Sequence, residues 1–182
     1  VSKNMSPMAV TAKHIKSTDP AAKVIFIGPC ISKKSEAKKD EVKDHVDCVI
    51  TFEELQALID SRGIDLEALE PSVLDNASYY GRIFARSGGL ADAVKQALKE
   101  QKLDFDFKPV VCDGIEACKT ALLKASKNAL PFNFIEGMAC QGGCIGGAGC
   151  LTHGDRDKSE VDRYGHESME KTITDSISVM EL

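Results

Sequence analysis

The stretch "FKPVVCDGIEACKTALLKASKNALPFNFIEGMA", residues 107–139, places a helical pattern between two runs that favour β-strands. The flanking runs, "FKPVVCD" and "PFNFIEGMA", contain Val, Ile and Phe, which are common in strands. The central "GIEACKTALLKASKN" predicts a helix. A strand, a helix and a strand in succession are typical of parallel strands joined by a crossover, so this stretch predicts an α/β fold.

The same alternation continues towards the N-terminus. "KVIFIGP" predicts a buried strand at 23–27, and "VDCVIT" predicts another at 46–51. With the two strands above, we expect a mostly parallel four-stranded sheet flanked by helices. We expect residues 1–182 to form a single α/β lobe, in which the polar tail at 155–182 is helical in part.

Three further stretches carry helix signals. "MSPMAVTAKHIK" has Ser6 and Pro7 where an N-cap and a first helical residue belong. "TFEELQALIDSRG" begins with Thr51 and Glu54 at the spacing of a capping box and ends at Gly63, a helix stop. "SGGLADAVKQALKEQK" has apolar residues on one helical face.

The composition of the 182-residue chain is that of a globular protein, with 43% hydrophobic and 28% charged residues. The net charge of −5 shows no sign of a nucleic-acid or membrane surface. The apolar runs are too short to span a bilayer, and a signal-peptide pattern is absent from the first residues. We therefore expect a cytoplasmic protein with no nucleic-acid or membrane partner. Because the chain begins with Val rather than Met, we also expect it to be a fragment of a longer protein.

Seven cysteines favour metal ligation or buried thiols over disulfides, because the number is odd and the expected compartment is reducing. Cys30 follows the first predicted strand, and Cys140 and Cys144 follow the fourth. If these strands are parallel neighbours, the three thiols converge at one sheet edge. Three thiolates suit zinc or an iron–sulfur cluster, and the C-x3-C spacing favours the cluster over a zinc site built from CxxC knuckles.

The other candidate residues have less specific positions. Cys48, Cys112 and Cys118 fall inside predicted elements and are expected in the core. Cys150 is either a fourth ligand or a packed loop residue. Lys33 is either solvated or donates a hydrogen bond to an anionic cluster near Cys30. The histidines are expected at the surface: His14, His45, His153 and His166.

Two stretches resemble motifs of the iron-only hydrogenases. "GPCISKKSEA" and "EGMACQGGCIGGAGC" are similar to the second and third cluster-binding motifs of that family, with matching spacing. "SPM", "VDCVITFEEL" and "ARSGGLADAV" add weaker similarity, so the resemblance covers about residues 2–165. It implies an oxidoreductase domain that binds the H-cluster, a 4Fe–4S cube joined to a di-iron unit. That domain interconverts protons and electrons with dihydrogen in hydrogen metabolism.

By position, the resemblance implies that Cys30, Cys140 and Cys144 are cofactor-binding metal ligands, and that Cys144 bridges to the di-iron unit. The family's first cysteine motif, which supplies the fourth ligand, has no counterpart in this chain. We therefore expect the chain alone to bind no cluster and to be inactive. The partners implied are an upstream lobe of its own polypeptide and a ferredoxin-like electron carrier or fused cluster domains.

The resemblance also implies three catalytic residues. Lys33 matches a lysine that hydrogen-bonds a cyanide ligand, Met138 matches a methionine of the di-iron pocket, and Ser2 matches a serine of the proton path. Both motifs depart from the family pattern. Gly28 replaces a methionine, which opens space in the pocket, and "GAGCL", with Ala148 and Cys150, stands where the family has "GGGQP". These departures resemble the divergent members thought to sense hydrogen.

Two other functions stay open at this stage. The first is an iron–sulfur assembly or electron-transfer protein of the same family that lacks the di-iron unit. The second is a structural zinc domain. Lys33 and Met138 favour the hydrogenase, because a bare cube needs neither of them.

Overall fold

The computed structural model describes residues 2–72, 77–154 and 156–178. Four strands are present in these ranges: β1 (Ile25–Ile27), β2 (Cys48–Ile50), β3 (Pro109–Asp113) and β4 (Phe134–Met138). The helices in these ranges are α1 (Pro7–Thr18), α2 (Ser32–Glu36), α3 (Phe52–Ser61), α4 (Tyr79–Arg82), α5 (Gly89–Glu100), α6 (Ile115–Ser126), α7 (Asp157–His166) and α8 (Ile173–Ile177). Short 3₁₀ turns lie at Leu66–Ala68 and Cys144–Gly146.

The strands form two parallel pairs. β1 pairs with β2, and Ile25 lies opposite Cys48. β3 pairs with β4, and Asp113 lies opposite Met138 at the carboxyl ends. The α/β class is therefore confirmed, but the expected four-stranded sheet is wrong, because β1–β2 and β3–β4 are separate sheets. Each pair consists of two strands that are consecutive in the chain and are joined by one crossover connection. The hydrogen bonds between strands therefore form within each pair.

The described residues fall into two compact units. The first unit holds residues 2–70 and 148–151. Its core is formed by one face of α1 and by the segment before β2, with Phe26 and Val49 packed against it. The buried core residues are Met8, Ala9, Ala12, Val42 and Val46.

In the first unit, α1 and α3 begin at the capping residues that the sequence predicts. Ser6 caps α1 and accepts a hydrogen bond from the Ala9 amide. Thr51 Oγ1 accepts from the Glu54 amide at 3.2 Å, while the Glu54 carboxylate accepts from the Thr51 amide at 2.8 Å. This is the capping box expected at the start of α3. Gly63 follows the end of α3 with φ of +62°, which suits a glycine stop.

The second unit holds the described residues of 71–147 and 152–178. The β3–β4 sheet packs against α6, and α5 packs against both α4 and α8. α4 and α7 pack against each other. The approach is close at Gly165, where an added Cβ would lie only 2.7 Å from Cγ2 of the fully buried Ile83. The predicted tail contains α7 and α8, while residues 155 and 179–182 lie outside the described residues.

No helix in the described part of the chain is both long enough and apolar enough to cross a membrane.

The Glu100 carboxylate at the end of α5 accepts hydrogen bonds from the first residues of α8. It accepts from the Ile173 amide at 3.0 Å, from the Thr174 amide at 2.9 Å and from the Thr174 hydroxyl at 2.7 Å. Gln96 donates to the same carboxylate at 2.7 Å. Burial alone would raise the pKa of Glu100, but these hydrogen bonds outweigh it and lower the pKa to about 2. The charged form of Glu100 therefore holds α8 against α5.

Because the pKa of Glu100 is lowered by folding, its contribution to stability is complete above its ordinary value of 4.5 and is lost as the pH falls from there towards about 2. We expect Glu100→Gln to lower the free energy of unfolding by about 1 kcal/mol at neutral pH. Urea unfolding at several pH values measures both effects, with Glu41→Gln at an exposed site as the control. Equal slopes of stability against pH for wild type and Glu100→Gln, between about pH 5 and 2.5, would contradict this role.

Candidate metal centre

Cys140 and Cys144 share one loop directly after β4. The Cys140 carbonyl accepts from the Gly143 amide at 3.1 Å, which closes a tight turn between the two cysteines. The Cys144 carbonyl accepts from the Gly147 amide at 2.9 Å across the 3₁₀ turn that follows. Both cysteines are half-buried, and neither forms a disulfide. The loop therefore presents two cysteines from a backbone closed by its own hydrogen bonds.

Glycine is required at two positions of this loop. Gly143 has φ of +90°, and a Cβ there would lie 2.5 Å from the Ser87 amide nitrogen and 2.7 Å from the Ala85 carbonyl oxygen. At Gly146, a Cβ would lie 2.0 Å from the Gln141 carbonyl oxygen. These neighbours are backbone atoms, which cannot move aside as a flexible side chain can. Glycine at these two positions of the loop thus allows close approach of main chains.

The main-chain neighbour of this loop is the segment before α5. Arg86 and Gly143 form an isolated antiparallel bridge. The Ser87 amide donates to the Gly142 carbonyl at 2.9 Å, and the Ile145 amide donates to the Ala85 carbonyl at 3.3 Å. These two bonds lie on either side of the Arg86–Gly143 bridge. Together with the bridge, they hold the cysteine loop against the segment before α5.

Glu136 in β4 is fully buried and caps α5. Its carboxylate accepts from the Gly88 and Ala91 amides, each at 2.7 Å. Gly88, the N-cap of α5, has no side chain to accept these bonds, so an acceptor must come from elsewhere in the fold. Sequence reasoning missed Glu136. The available signal was a helix that starts at a glycine pair, together with one acid inside an apolar strand.

Met138 lies at the carboxyl end of β4, two residues before Cys140, and is half-buried. Its carbonyl accepts from the Gly114 amide at 2.8 Å. Opposite it in β3, Asp113 accepts from the Gly142 amide at 2.7 Å. These bonds anchor both ends of the segment that leads from β4 into the cysteine loop.

In the first unit, Cys30 follows β1 and opens a turn into α2. Its carbonyl accepts from the Lys33 amide at 3.2 Å. The preceding carbonyl, of Pro29, accepts from the Gly149 amide at 3.0 Å, and the Gly149 carbonyl accepts from the Phe52 amide at 3.1 Å. Cys150 therefore lies next to a residue hydrogen-bonded to the ends of both strands, and it is buried at 9% exposure.

Gly28, where the resembling family has a methionine, does not leave open space. A Cβ at this position would lie 2.8 Å from Cε1 of the Phe26 ring. The Gly28 amide also donates to the Ile50 carbonyl at 3.1 Å, which extends the parallel ladder past β1. A side chain at position 28 would therefore require the Phe26 ring to move.

Lys33 forms an ion pair with Glu36 one helical turn away, at 2.6 Å between Nζ and Oε2. Glu36 also accepts from the Ser6 hydroxyl. Burial alone would raise the pKa of Glu36, but hydrogen bonds from Lys33 and Ser6 outweigh it, so the pKa is lowered. Ser2 is exposed, and its hydroxyl accepts from the Asn4 amide at 3.2 Å.

The remaining cysteines differ in exposure. Cys112 in β3 is 3% exposed, as predicted. Burial raises the pKa of its thiol, and nearby Cys118 and Glu136 raise it further, so it stays protonated and unreactive. Cys118 is half-buried and donates weakly to main-chain carbonyls. The expected burial of Cys48 is wrong: it is exposed, because it lies in β2 opposite Ile25 on an uncovered part of the sheet.

The three predicted ligands are not brought together by one sheet edge, contrary to what the sequence predicts. β1 and β4 are not neighbours, so sheet pairing does not bring Cys30 to Cys140 and Cys144. Cys30 lies in the first unit, and Cys140 and Cys144 lie in the second. Within the described residues of either unit, no three His, Cys, Asp or Glu side chains are grouped closely enough to hold a metal ion. The ligand set Cys30, Cys140 and Cys144 stays a prediction, as do Lys33, Met138 and Ser2.

Comparison with known proteins places these motifs in a family. Iron hydrogenase 1 of Clostridium pasteurianum is 31% identical over 173 residues, which cover 76% of this chain and 30% of that protein. Cytosolic iron-sulfur assembly component 3 of Pongo abelii is 24% identical over 176 residues, which cover 75% of this chain and 37% of that protein. A solved variant of an FeFe-hydrogenase from Chlamydomonas reinhardtii shares the fold, with a TM-score of 0.60 at 18% identity, over 96% of this chain and 62% of that chain.

The chain spans about a third of the length of these two curated relatives, with coverages of 30% and 37%. The family model described as "Iron only hydrogenase large subunit, C-terminal domain" matches residues 1–148, which contain both cysteine motifs and most of the two units. On this match, the chain belongs to the family of the iron-only hydrogenase large subunit, C-terminal domain.

Proposed function

We propose that this chain forms part of an iron-only hydrogenase catalytic domain, in which Cys30, Cys140 and Cys144 bind a 4Fe–4S cube joined to a di-iron unit. The single observation that carries the proposal is the family match over residues 1–148, which includes all three cysteines. When bound, this cofactor supplies the interconversion of protons and electrons with dihydrogen.

The donor chemistry of the cysteine loop supports the proposal. Cysteine thiolates are the ordinary ligands of iron–sulfur clusters. Cys140 and Cys144 lie on one loop that is closed by its own main-chain hydrogen bonds and bridged to a second segment. A loop already held in this way loses little conformational freedom when its thiolates bind iron.

Three further residues have proposed roles. Lys33 donates a hydrogen bond to an anionic ligand of the di-iron unit, and its half-buried ion pair with Glu36 lies in the helix that directly follows Cys30. Met138 provides a soft thioether beside the cysteine loop. Ser2 belongs to a path for protons.

The proposed activity is that of this chain together with the remainder of a hydrogenase domain. The remainder supplies the fourth cysteine ligand, and a ferredoxin-like carrier or fused cluster domains supply electrons. The proposed location is the cytoplasm. The departures from the family motif at Ala148 and Cys150 support a sensing rather than a high-turnover role for the assembled protein. A hydrogen turnover equal to that of a catalytic hydrogenase would contradict the sensing role.

A second candidate function is iron–sulfur assembly or electron transfer without the di-iron unit. It is favoured by the relatives named cytosolic iron-sulfur assembly component 3, which match 75% of this chain. Under this alternative, a cluster binds to the same cysteines. The two functions therefore differ in the presence of the di-iron unit and not in the ligand set.

Infrared spectroscopy separates the two functions. The chain is produced with the remainder of the domain and matured with the hydrogenase maturation system. We expect bands of metal-bound carbonyl and cyanide. An iron–sulfur protein without these bands would instead support assembly or electron transfer, and a protein without iron would contradict both.

Cysteine variants of the same preparation test the ligand assignment. We expect Cys144→Ser to lose the cluster, because serine replaces a soft thiolate ligand. Cys48→Ser is the matched control, since Cys48 is exposed and lies outside both motifs. Iron and sulfide analysis measures the result. Full iron content in Cys144→Ser, or an equal loss in Cys48→Ser, would contradict the assignment.

A further inference from the structure

The buried side chain of Arg86 lies at the centre of an ion-pair network in the second unit, and its two carboxylate partners reach the surface. Its Nε donates to Asp162 of α7 at 2.6 Å, and its Nη2 donates to Asp92 of α5 at 3.0 Å. Its Nη1 donates to the Ser87 carbonyl at 3.2 Å. Arg86 is only 7% exposed, so its guanidinium is largely removed from water.

The partners of this guanidinium stabilise its charged form. Burial alone would lower the pKa of Arg86, but hydrogen bonds to Asp162, Tyr79 and Asp92 outweigh it and raise the pKa. A buried charge is costly when it loses its partners. The ion pairs therefore disfavour movements of Arg86 that would separate its guanidinium from Asp162 and Asp92.

The main chain of the same residue contacts the cysteine loop. Arg86 bridges to Gly143, which lies between Cys140 and Cys144. The Ser87 and Ile145 amides donate across the bridge on either side. A displacement of Arg86 would therefore displace or release the loop.

We propose that Arg86 is a positioning residue for the cysteine loop, because its side chain is tied to α5 and α7 while its main chain holds the loop between the two cysteines. The proposal deepens the proposed function and rests on it in one respect, that Cys140 and Cys144 of this loop are cluster ligands. The ion pair with Asp162 makes the geometry of the ligand loop depend on α7, which starts more than ten residues after Cys144 in the chain.

Hydrogen exchange in the metal-free chain tests this positioning directly. We expect Arg86→Gln to accelerate exchange of the Ser87 and Ile145 amides about tenfold, because these amides form the bonds across the bridge. Alkylation of Cys140 and Cys144, followed by mass spectrometry, should accelerate similarly, whereas alkylation of Cys30 should not. Asp162→Asn should act in the same direction, and it remains informative if Arg86→Gln fails to fold. Arg86→Lys, which keeps the charge, should restore part of the protection.

Arg82→Gln is the matched control. Arg82 also binds α7, through a hydrogen bond of 3.0 Å to the Tyr164 carbonyl and a guanidinium 4.4 Å from the Tyr164 ring centroid. If loss of α7 contacts in general loosened the loop, Arg82→Gln would accelerate the same amides as much as Arg86→Gln. That result, or unchanged exchange in Arg86→Gln, would overturn the proposal.

The loaded protein gives a second readout. In protein matured with the remainder of the domain, we expect Arg86→Gln to shift the electron paramagnetic resonance spectrum of the reduced cluster, because ligand geometry changes the spectrum. Arg82→Gln should leave the spectrum unchanged. If the wild-type protein bound no cluster, the proposed function would fail, while the exchange measurements on the metal-free chain would still decide whether Arg86 positions the loop.

Discussion

Replacing Glu136 with alanine is expected to destabilise the folded chain by about 3–5 kcal/mol. The Glu136 side chain is fully buried, and its carboxylate is the acceptor for the Gly88 and Ala91 amides at the start of α5. Truncation would leave two amides without an acceptor and would open a cavity beside β4. Because β4 leads into Cys140 two residues after it ends, the same change should also lower the proposed cluster binding of the assembled domain.

Urea unfolding measures this effect, and Glu116→Ala is its control. Glu116 is in the first turn of α6, but its side chain is exposed and pairs with Lys119 at the surface. Its loss should cost about 1 kcal/mol or less. Glu136→Gln keeps the size of the side chain and should have an intermediate cost, since one oxygen is replaced by an amide group that cannot accept. Equal stabilities of Glu136→Ala and Glu116→Ala would show that Glu136 does not cap α5.

Gly143→Ala is expected to cost about 3–5 kcal/mol, as the sum of backbone strain and steric overlap. Gly143 has φ of +90°, and the added Cβ would lie 2.5 Å from the Ser87 amide nitrogen. The clash is with backbone atoms of the segment that bridges the cysteine loop, so one of the two chains must move. We therefore expect Gly143→Ala to lose stability and, in the assembled domain, the proposed cluster binding.

Two other glycines separate the contributions to this cost. Gly142 has φ of +81°, and among the described residues only Cγ1 of Ile145, at 4.0 Å, lies near an added Cβ, so Gly142→Ala tests strain. We expect it to cost about 1–2 kcal/mol. No described residue lies within 4 Å of a Cβ added at Gly154, and Gly154→Ala should change stability by less than about 0.5 kcal/mol. The order Gly143, Gly142, Gly154 in measured cost is the expected result, and a Gly143→Ala protein as stable as Gly154→Ala would contradict it.

Helix starts and stops were predictable because capping acts between residues three or four positions apart. Ser6 and Pro7 begin α1, and Thr51 and Glu54 form the capping box of α3, as expected. The strand positions were also predictable from β-rich runs, although the strands are shorter than the runs. These features depend on local chemistry, which the sequence contains in full.

The candidate site was predictable only in its composition. The C-x3-C spacing of Cys140 and Cys144 predicts a metal site, and this assignment stays a prediction. The expected convergence with Cys30 relied on sheet neighbours that do not exist. Strand neighbours depend on which surfaces meet after each crossover, and a run of apolar residues does not specify its partner.

By itself, the sequence determined the α/β class, the helix caps and the two cysteine motifs, because each depends on residues that are close together in the chain. Only the tertiary structure decided that the strands form two pairs, that Glu136 caps α5 and that Arg86 links α7 to the cysteine loop. The bonds of Glu136 span 45 and 48 positions, and that of Arg86 to Asp162 spans 76. Such bonds form only when folding brings distant segments together, and burial then makes their loss costly.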